Sequence, residues 1–146
     1  MNNESFCERR QINHKLAHEL LEKRAEVWAL LEQLLGLQPY TSDQEVGPLL
    51  KRFCEELIDY ISLEHFGVFH HLANGHEHRA LILTLAEDIF PEMLDTTDVA
   101  LDFNDKFESL TAESWRDELP DQLFVLRDAL ALRVGLEDRL IEGMMA

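Results

Sequence analysis

The sequence predicts an all-α protein: an up-and-down helical bundle with four long helices, a short extra helix near residues 63-73 and a proline kink at Pro91. Three observations lead there. Apolar residues recur at three- and four-residue steps through most of the chain. No stretch shows the two-residue alternation of a half-buried strand, and there is no internal repeat. The connections between the periodic stretches are short, so consecutive helices are expected to pack as neighbours.

Each element follows in order. The first helix is predicted over 8–35, where Leu16, Leu20, Val27, Leu31 and Leu34 form one stripe, widened by Leu21, Trp28 and Leu35. Gly36 ends it and Pro39 prevents continuation, with Thr41, Ser42 and Asp43 supplying turn chemistry. The second helix starts near Gln44 or Pro48 and ends near Ile61, with Leu50, Phe53, Cys54, Leu57, Ile58 and Ile61 on its apolar face. Ser62 reads as an N-cap, so the chain should turn a tight corner there into a short helix, 63–73, carrying Phe66, Phe69 and Leu72. Asn74-Gly75 should close that helix. The next long helix shows Leu81, Leu85, Ile89 and Met93, then Leu94, Val99 or Ala100, Leu101 and Phe103 toward Phe107. Pro91 lies inside this pattern and removes one helical hydrogen bond, which predicts the kink. Residues 108–119 read as a polar link with short helical structure around Trp115. The last helix starts near Pro120 and carries Leu123, Leu126, Leu130, Val134 and Ile141, weakened locally by Gly135 and Gly143.

Composition narrows the function classes. The 146 residues, 46% of them hydrophobic, suffice for one domain, 1–146, with a real core. No apolar run reaches the ~18 residues of a membrane span. The N-terminus, MNNESFCERR, has no apolar core of a secretory signal. Cys7 and Cys54 form no CxxC, and Cys54 lies on an apolar stripe, as expected of a reduced, cytoplasmic protein. The net charge of −16 makes nucleic acid a poor direct partner, because the phosphate backbone is repelled. Residues 87–128 concentrate the effect, with 13 acidic residues against 3 basic ones. Such a field would steer a basic protein toward the chain.

Chemistry-bearing patterns are sparse. None of the seven histidines has Glu three residues before it, so the Glu-x-x-His pairs of di-iron bundles are absent. His14, His18 and Glu22 are one turn apart, and His70, His71, His76 and His78 cluster near a helix end; both sets read as polar surface rather than metal ligands. No Gly-x-Ser-x-Gly elbow and no Gly-rich phosphate loop is present, so neither catalysis nor a cofactor is expected. What remains is a surface for a protein partner. Tyr60, His65, Phe66 and Phe69 beside Asp59 and Glu64 have the aromatic-plus-charge composition of an interface anchor. The bland reading is that Tyr60 and Phe66 plug the end of the bundle.

These residues also carry a resemblance. Leu57-Ile58-Asp59-Tyr60-Ile61-Ser62 followed by His65-Phe66 resembles the L-V-D-Y-x-S-x-G-H-F signature of the Rsd/AlgQ anti-sigma factors. Leu35-Gly36-Leu37-Gln38-Pro39 resembles that family's G-[IL]-K-P turn, Ile89-Phe90-Pro91 its I-[WF]-P kink, and Leu136-Glu137-Asp138-Arg139-Leu140-Ile141 its L-E-D-x-L-I ending. Two departures stand out. Glu64 occupies the Gly of the signature, and the family's D-R-W-L in the first helix reads His18-Glu19-Leu20-Leu21 here. The resemblance implies a helical protein that binds the primary sigma subunit of bacterial RNA polymerase, chiefly its basic region 4, and sequesters it from core enzyme and promoter DNA. It implies partner-binding roles for Asp59, Tyr60, Ser62, His65 and Phe66, with Asp59 facing an Arg of sigma, and further contacts from Glu137 and Asp138. An acidic helical adaptor for another regulatory protein is the alternative, and a metal-binding bundle protein a more distant one.

Overall fold

The computed structural model describes residues 3–41, 44–73, 79–108 and 115–146. They form four long helices: α1 (Asn3–Gly36), α2 (Val46–Ser62), α3 (Ala80–Phe107) and α4 (Trp115–Met145). A π-helical segment, Leu63–Phe69, continues α2. Among the described residues there is no strand.

Each helix packs on its neighbour in sequence, and α4 returns to α1 to close a four-membered ring. Side-chain pairs fix the directions. Lys23 on α1 meets Glu56 on α2, while Asn13 meets His71, so rising numbers on one helix match falling numbers on the other. The same inversion relates α2 to α3, through Phe53–Phe103 and Phe69–Phe90, and α3 to α4, through Thr96–Arg133 and Lys106–Glu118. The arrangement is the expected up-and-down bundle.

The stripes that predict the helices also fill the core. Leu20, Val27, Leu31 and Leu34 of α1 meet Leu50, Phe53, Leu57 and Ile61 of α2, Ile89, Met93 and Phe103 of α3, and Leu123, Leu126 and Leu130 of α4. Removing such surface from water contributes roughly 25 cal/mol per Å² and outweighs the weak helix propensity of the polar faces. The end of α1 is closed locally, with the Tyr40 hydroxyl donating to the Leu34 carbonyl at 2.9 Å. That bond satisfies one of the carbonyls a helix end leaves open.

Three expectations change. The predicted corner at Ser62 is absent. Ser62 has ordinary helical angles, φ −66° and ψ −42°, and makes no side-chain cap, so α2 runs unbroken into the π segment. A serine accepts helical geometry when its neighbours bury an apolar face, which Tyr60, Ile61 and Val68 do here. The last helix starts at Trp115 rather than Pro120, because buried Trp115 and Leu119 extend its stripe backward. Pro120 therefore lies inside α4, and the helix gives up the bond that its N–H would have made. Finally, Leu81 is exposed, and Ile82 takes the core position in its place. α3 continues on both sides of Pro91 as one element. The Asn74-Gly75 stop, and His76 and His78, lie outside the described residues.

Candidate partner-binding surface

The residues singled out by sequence separate into an inner and an outer set. Tyr60 and Glu137 are inside. Both are fully buried, and the Tyr60 hydroxyl donates to Glu137 Oε1 at 2.5 Å across the bundle. This corrects their reading as surface contacts. Tyr60 lies one position beyond Asp59 on a helix whose inward face includes Leu57 and Ile61, and 100° of helical rotation carries it from solvent into the core.

Tyr60 and Glu137 belong to a buried polar layer that periodicity alone did not reveal. Arg133 of α4 is its centre. It donates through Nη1 to Thr96 Oγ1 at 3.1 Å and Thr97 Oγ1 at 2.9 Å, and through Nη2 to Glu64 Oε2 at 3.2 Å. Its Nε lies 3.4 Å from Glu137 Oε2, an ion-pair distance without hydrogen-bond geometry. The guanidinium also sits 5.2 Å from the centre of the Tyr60 ring, a cation–π distance. Arg24 of α1 closes the layer from the rim, 3.6 Å from Glu137 and 2.8 Å from exposed Asp138.

Burial sets the protonation states. Desolvation, then the hydrogen bond and the charge of Glu137, push the Glu64 carboxyl well above the usual carboxylate range, against the pull of Arg133. Desolvation and Glu137 likewise push the Tyr60 phenol upward, so it stays a donor at neutral pH. Desolvation raises the Cys54 thiol to about 12, which leaves it unreactive in its apolar site.

The outer set is Asp59, Ser62, His65 and Phe66. Asp59, Ser62 and Phe66 follow each other at three- and four-residue steps and share the outward face of α2 and the π segment. The Asp59 side chain is 62% exposed and lies 3.9 Å from Lys23 of α1. Phe66 is 68% exposed and borders other rings rather than standing alone, and it is such contiguity that marks a contact surface. His65 meets Phe66 edge-on at 4.7 Å and stacks over Phe90 of α3 at 6.2 Å; Phe69 joins Phe90 at 5.2 Å. These rings wall an apolar groove of about 590 Å³ between the π segment and α3, bounded by Leu83, Glu87 and Pro91. Leu94 and Leu101, exposed on α3 four and eleven residues beyond Phe90, extend apolar surface along the same face. The helical pattern expected both residues to continue the apolar stripe of α3; they stand one position beyond buried Met93 and Ala100 and so face outward.

The geometry joins an exposed aromatic strip to acidic side chains at the rim of a braced helix pair. The family model for "Regulator of RNA polymerase sigma(70) subunit, Rsd/AlgQ" matches residues 1–145. The chain belongs to the Rsd/AlgQ family. Proteins named "Regulator of sigma D" from Salmonella paratyphi A, Salmonella paratyphi B and Salmonella schwarzengrund are each 29% identical over 143 residues, covering 94% of this chain and 86% of theirs. No solved structure matches it significantly. Within this Rsd/AlgQ chain, the signature residues thus divide: Asp59, Ser62, His65 and Phe66 reach the surface, while Tyr60 supports them from beneath. The L-E-D-x-L-I ending divides too, with Glu137 in the core and Asp138 at the rim. Among the described residues, no group of three His, Cys, Asp or Glu is placed to hold a metal ion. No described helix is long and apolar enough to cross a membrane.

Proposed function

We propose that this chain regulates transcription by binding the primary sigma subunit of bacterial RNA polymerase, chiefly its region 4, and by withholding it from core enzyme and promoter DNA. The observation that carries the reading is the exposed strip Asp59–Ser62–Phe66 with His65, set on a molecule of net charge −16 that belongs to a family of sigma(70) regulators. Region 4 is a helix-turn-helix module, basic because it reads phosphates and the major groove. Its charge suits an acidic surface, and the aromatic strip adds area that excludes water.

Specific roles follow. Asp59 supplies a carboxylate for an Arg of sigma; its existing neighbour, Lys23, is a loose contact that such a partner displaces at little cost. Phe66 is the apolar anchor, with His65 and Phe90 as its wall. Ser62 is half-buried between Asp59 and Phe66 and offers one hydroxyl. Asp138, paired with Arg24, is a secondary contact on the far side of α1. Tyr60 and Glu137 act by holding α2 against α4 rather than by touching the partner. No covalent chemistry is required, because occlusion by mass action suffices.

The test is a pull-down from a bacterial lysate with the chain as bait, probed for the primary sigma subunit and for core polymerase. Recovery of sigma without core supports sequestration. Recovery of sigma together with core removes it, and recovery of neither removes sigma as the partner.

A further inference from the structure

Glu64 is where this chain departs from the Gly of the family signature, and the structure sets it against Arg133 and Glu137 of α4. We propose that Glu64, Arg133 and Glu137 form a latch that ties the π segment to α4 and so positions His65 and Phe66 for partner contact. The inference rests on the reading of that strip as the sigma-binding surface.

Glu64 is fully buried in the first turn of the π segment, and its two following residues emerge on the exposed side. A rotation of the segment about its axis that displaced the inward carboxyl would therefore also move the outward rings. A π segment is rare and occurs mostly as a short insertion within an α-helix, frequently at functional sites. Here its inward contact is Arg133, itself fixed by Thr96 and Thr97 of α3. One guanidinium thus joins the π segment, α3 and α4.

The latch contains a proton. Two guanidiniums, Arg24 and Arg133, face three carboxyls, Glu64, Glu137 and Asp138. Glu64 Oε1 is buried without a hydrogen-bond partner, beside the Glu137 carboxylate. A proton on Glu64 balances the charge and supplies the missing donor. The groups that face this proton are Tyr60 from α2, Thr96 and Thr97 from α3 through Arg133, Arg133 and Glu137 from α4, and Arg24 from α1 behind Glu137. Glu64 holds its proton more tightly folded than unfolded. Its contribution to stability is therefore complete below the ordinary carboxyl range and is lost as pH rises through the folded value.

The test compares the wild type with Glu64→Gln and Glu64→Leu. Gln mimics the neutral acid, donating to Glu137 and accepting from Arg133; Leu fills the space without either bond. Three quantities are read: amide hydrogen exchange over 63–69, denaturant midpoint against pH, and affinity for purified sigma region 4. The latch predicts that Gln keeps wild-type exchange and affinity within about twofold while its stability depends less on rising pH. Leu should speed exchange over 63–69 and weaken sigma binding about tenfold. Wild-type exchange and affinity in the Leu variant would overturn the latch. So would a Gln pH profile identical to the wild type's, which also decides the matter if Leu fails to fold. Failure of the wild type to bind sigma, with exchange and pH profiles as expected, removes the sigma reading and leaves the tie between the π segment and α4 in place.

Discussion

Two regions of this molecule use the same residue types to opposite ends. At the rim, Lys23 meets Glu56 at 2.9 Å and Asp59 at 3.9 Å, with all three side chains at least partly in water. In the middle of the bundle, Arg133 meets Glu64 and Glu137 at similar distances with almost no exposure. Separation alone would rank the Lys23–Glu56 pair as the strongest of these four. Solvent reverses the order. The rim pairs are screened, and their removal frees groups that water can solvate. In the buried layer no water replaces a lost partner, so the loss leaves a stranded charge. The rim carboxylates are consequently free to serve a partner, and the buried ones are committed to the fold.

The sharpest way to break this comparison is Arg133→Met. It strands the Glu137 charge and takes from Glu64 its hydrogen-bond donor, and the expected loss is about 3–5 kcal/mol of folding stability at neutral pH, read from denaturant unfolding. Tyr60→Phe comes next. It leaves Glu137 without its hydroxyl donor and should cost about 1–3 kcal/mol, with helix content unchanged by circular dichroism. Asp59→Ala sits on the other side of the divide. Its stability should change by no more than ~0.5 kcal/mol, while calorimetric affinity for sigma falls by roughly 1–3 kcal/mol. The smallest effect is expected from Lys23→Ala, at most ~1 kcal/mol of stability, disappearing when the unfolding is repeated at high salt. Equal losses for Arg133→Met and Lys23→Ala would erase the distinction between the regions.

The four helices were legible because their burial is periodic. Leu20, Val27, Leu31 and Leu34 in α1, and Leu50, Phe53, Leu57 and Ile61 in α2, recur on one face each and are buried. The polar layer hides in the same periodicity. Arg133 and Glu137 stand in phase with Leu126, Leu130, Leu140 and Met144, as Glu64 does with Leu57, Tyr60 and Val68. A search for apolar stripes passes over such positions and settles on Val134, which is only half-buried. The phase was present in the sequence, but the partners were not, since Glu64 and Arg133 come from opposite corners of the bundle. Ser62 misled for a different reason. Its hydroxyl favours caps in isolation, and no local rule reports that burial of Tyr60, Ile61 and Val68 carries the helix through it. The exposure of the outer strip was readable, because Asp59 falls off the apolar stripe of its helix and Phe66 falls one position away from the buried phase of Leu57, Tyr60, Glu64 and Val68.

The central claim is that the exposed strip, and not the buried layer, meets the partner. Titration of purified sigma region 4 into the wild type and into Phe66→Ser, followed by calorimetry, tests it directly. Phe66 is mostly in water already, so its loss should leave thermal unfolding within a degree or two of the wild type (~0.5 kcal/mol). Sigma binding should weaken by at least about 2 kcal/mol, as expected for an aromatic anchor. Undiminished affinity in the Phe66→Ser protein would contradict it.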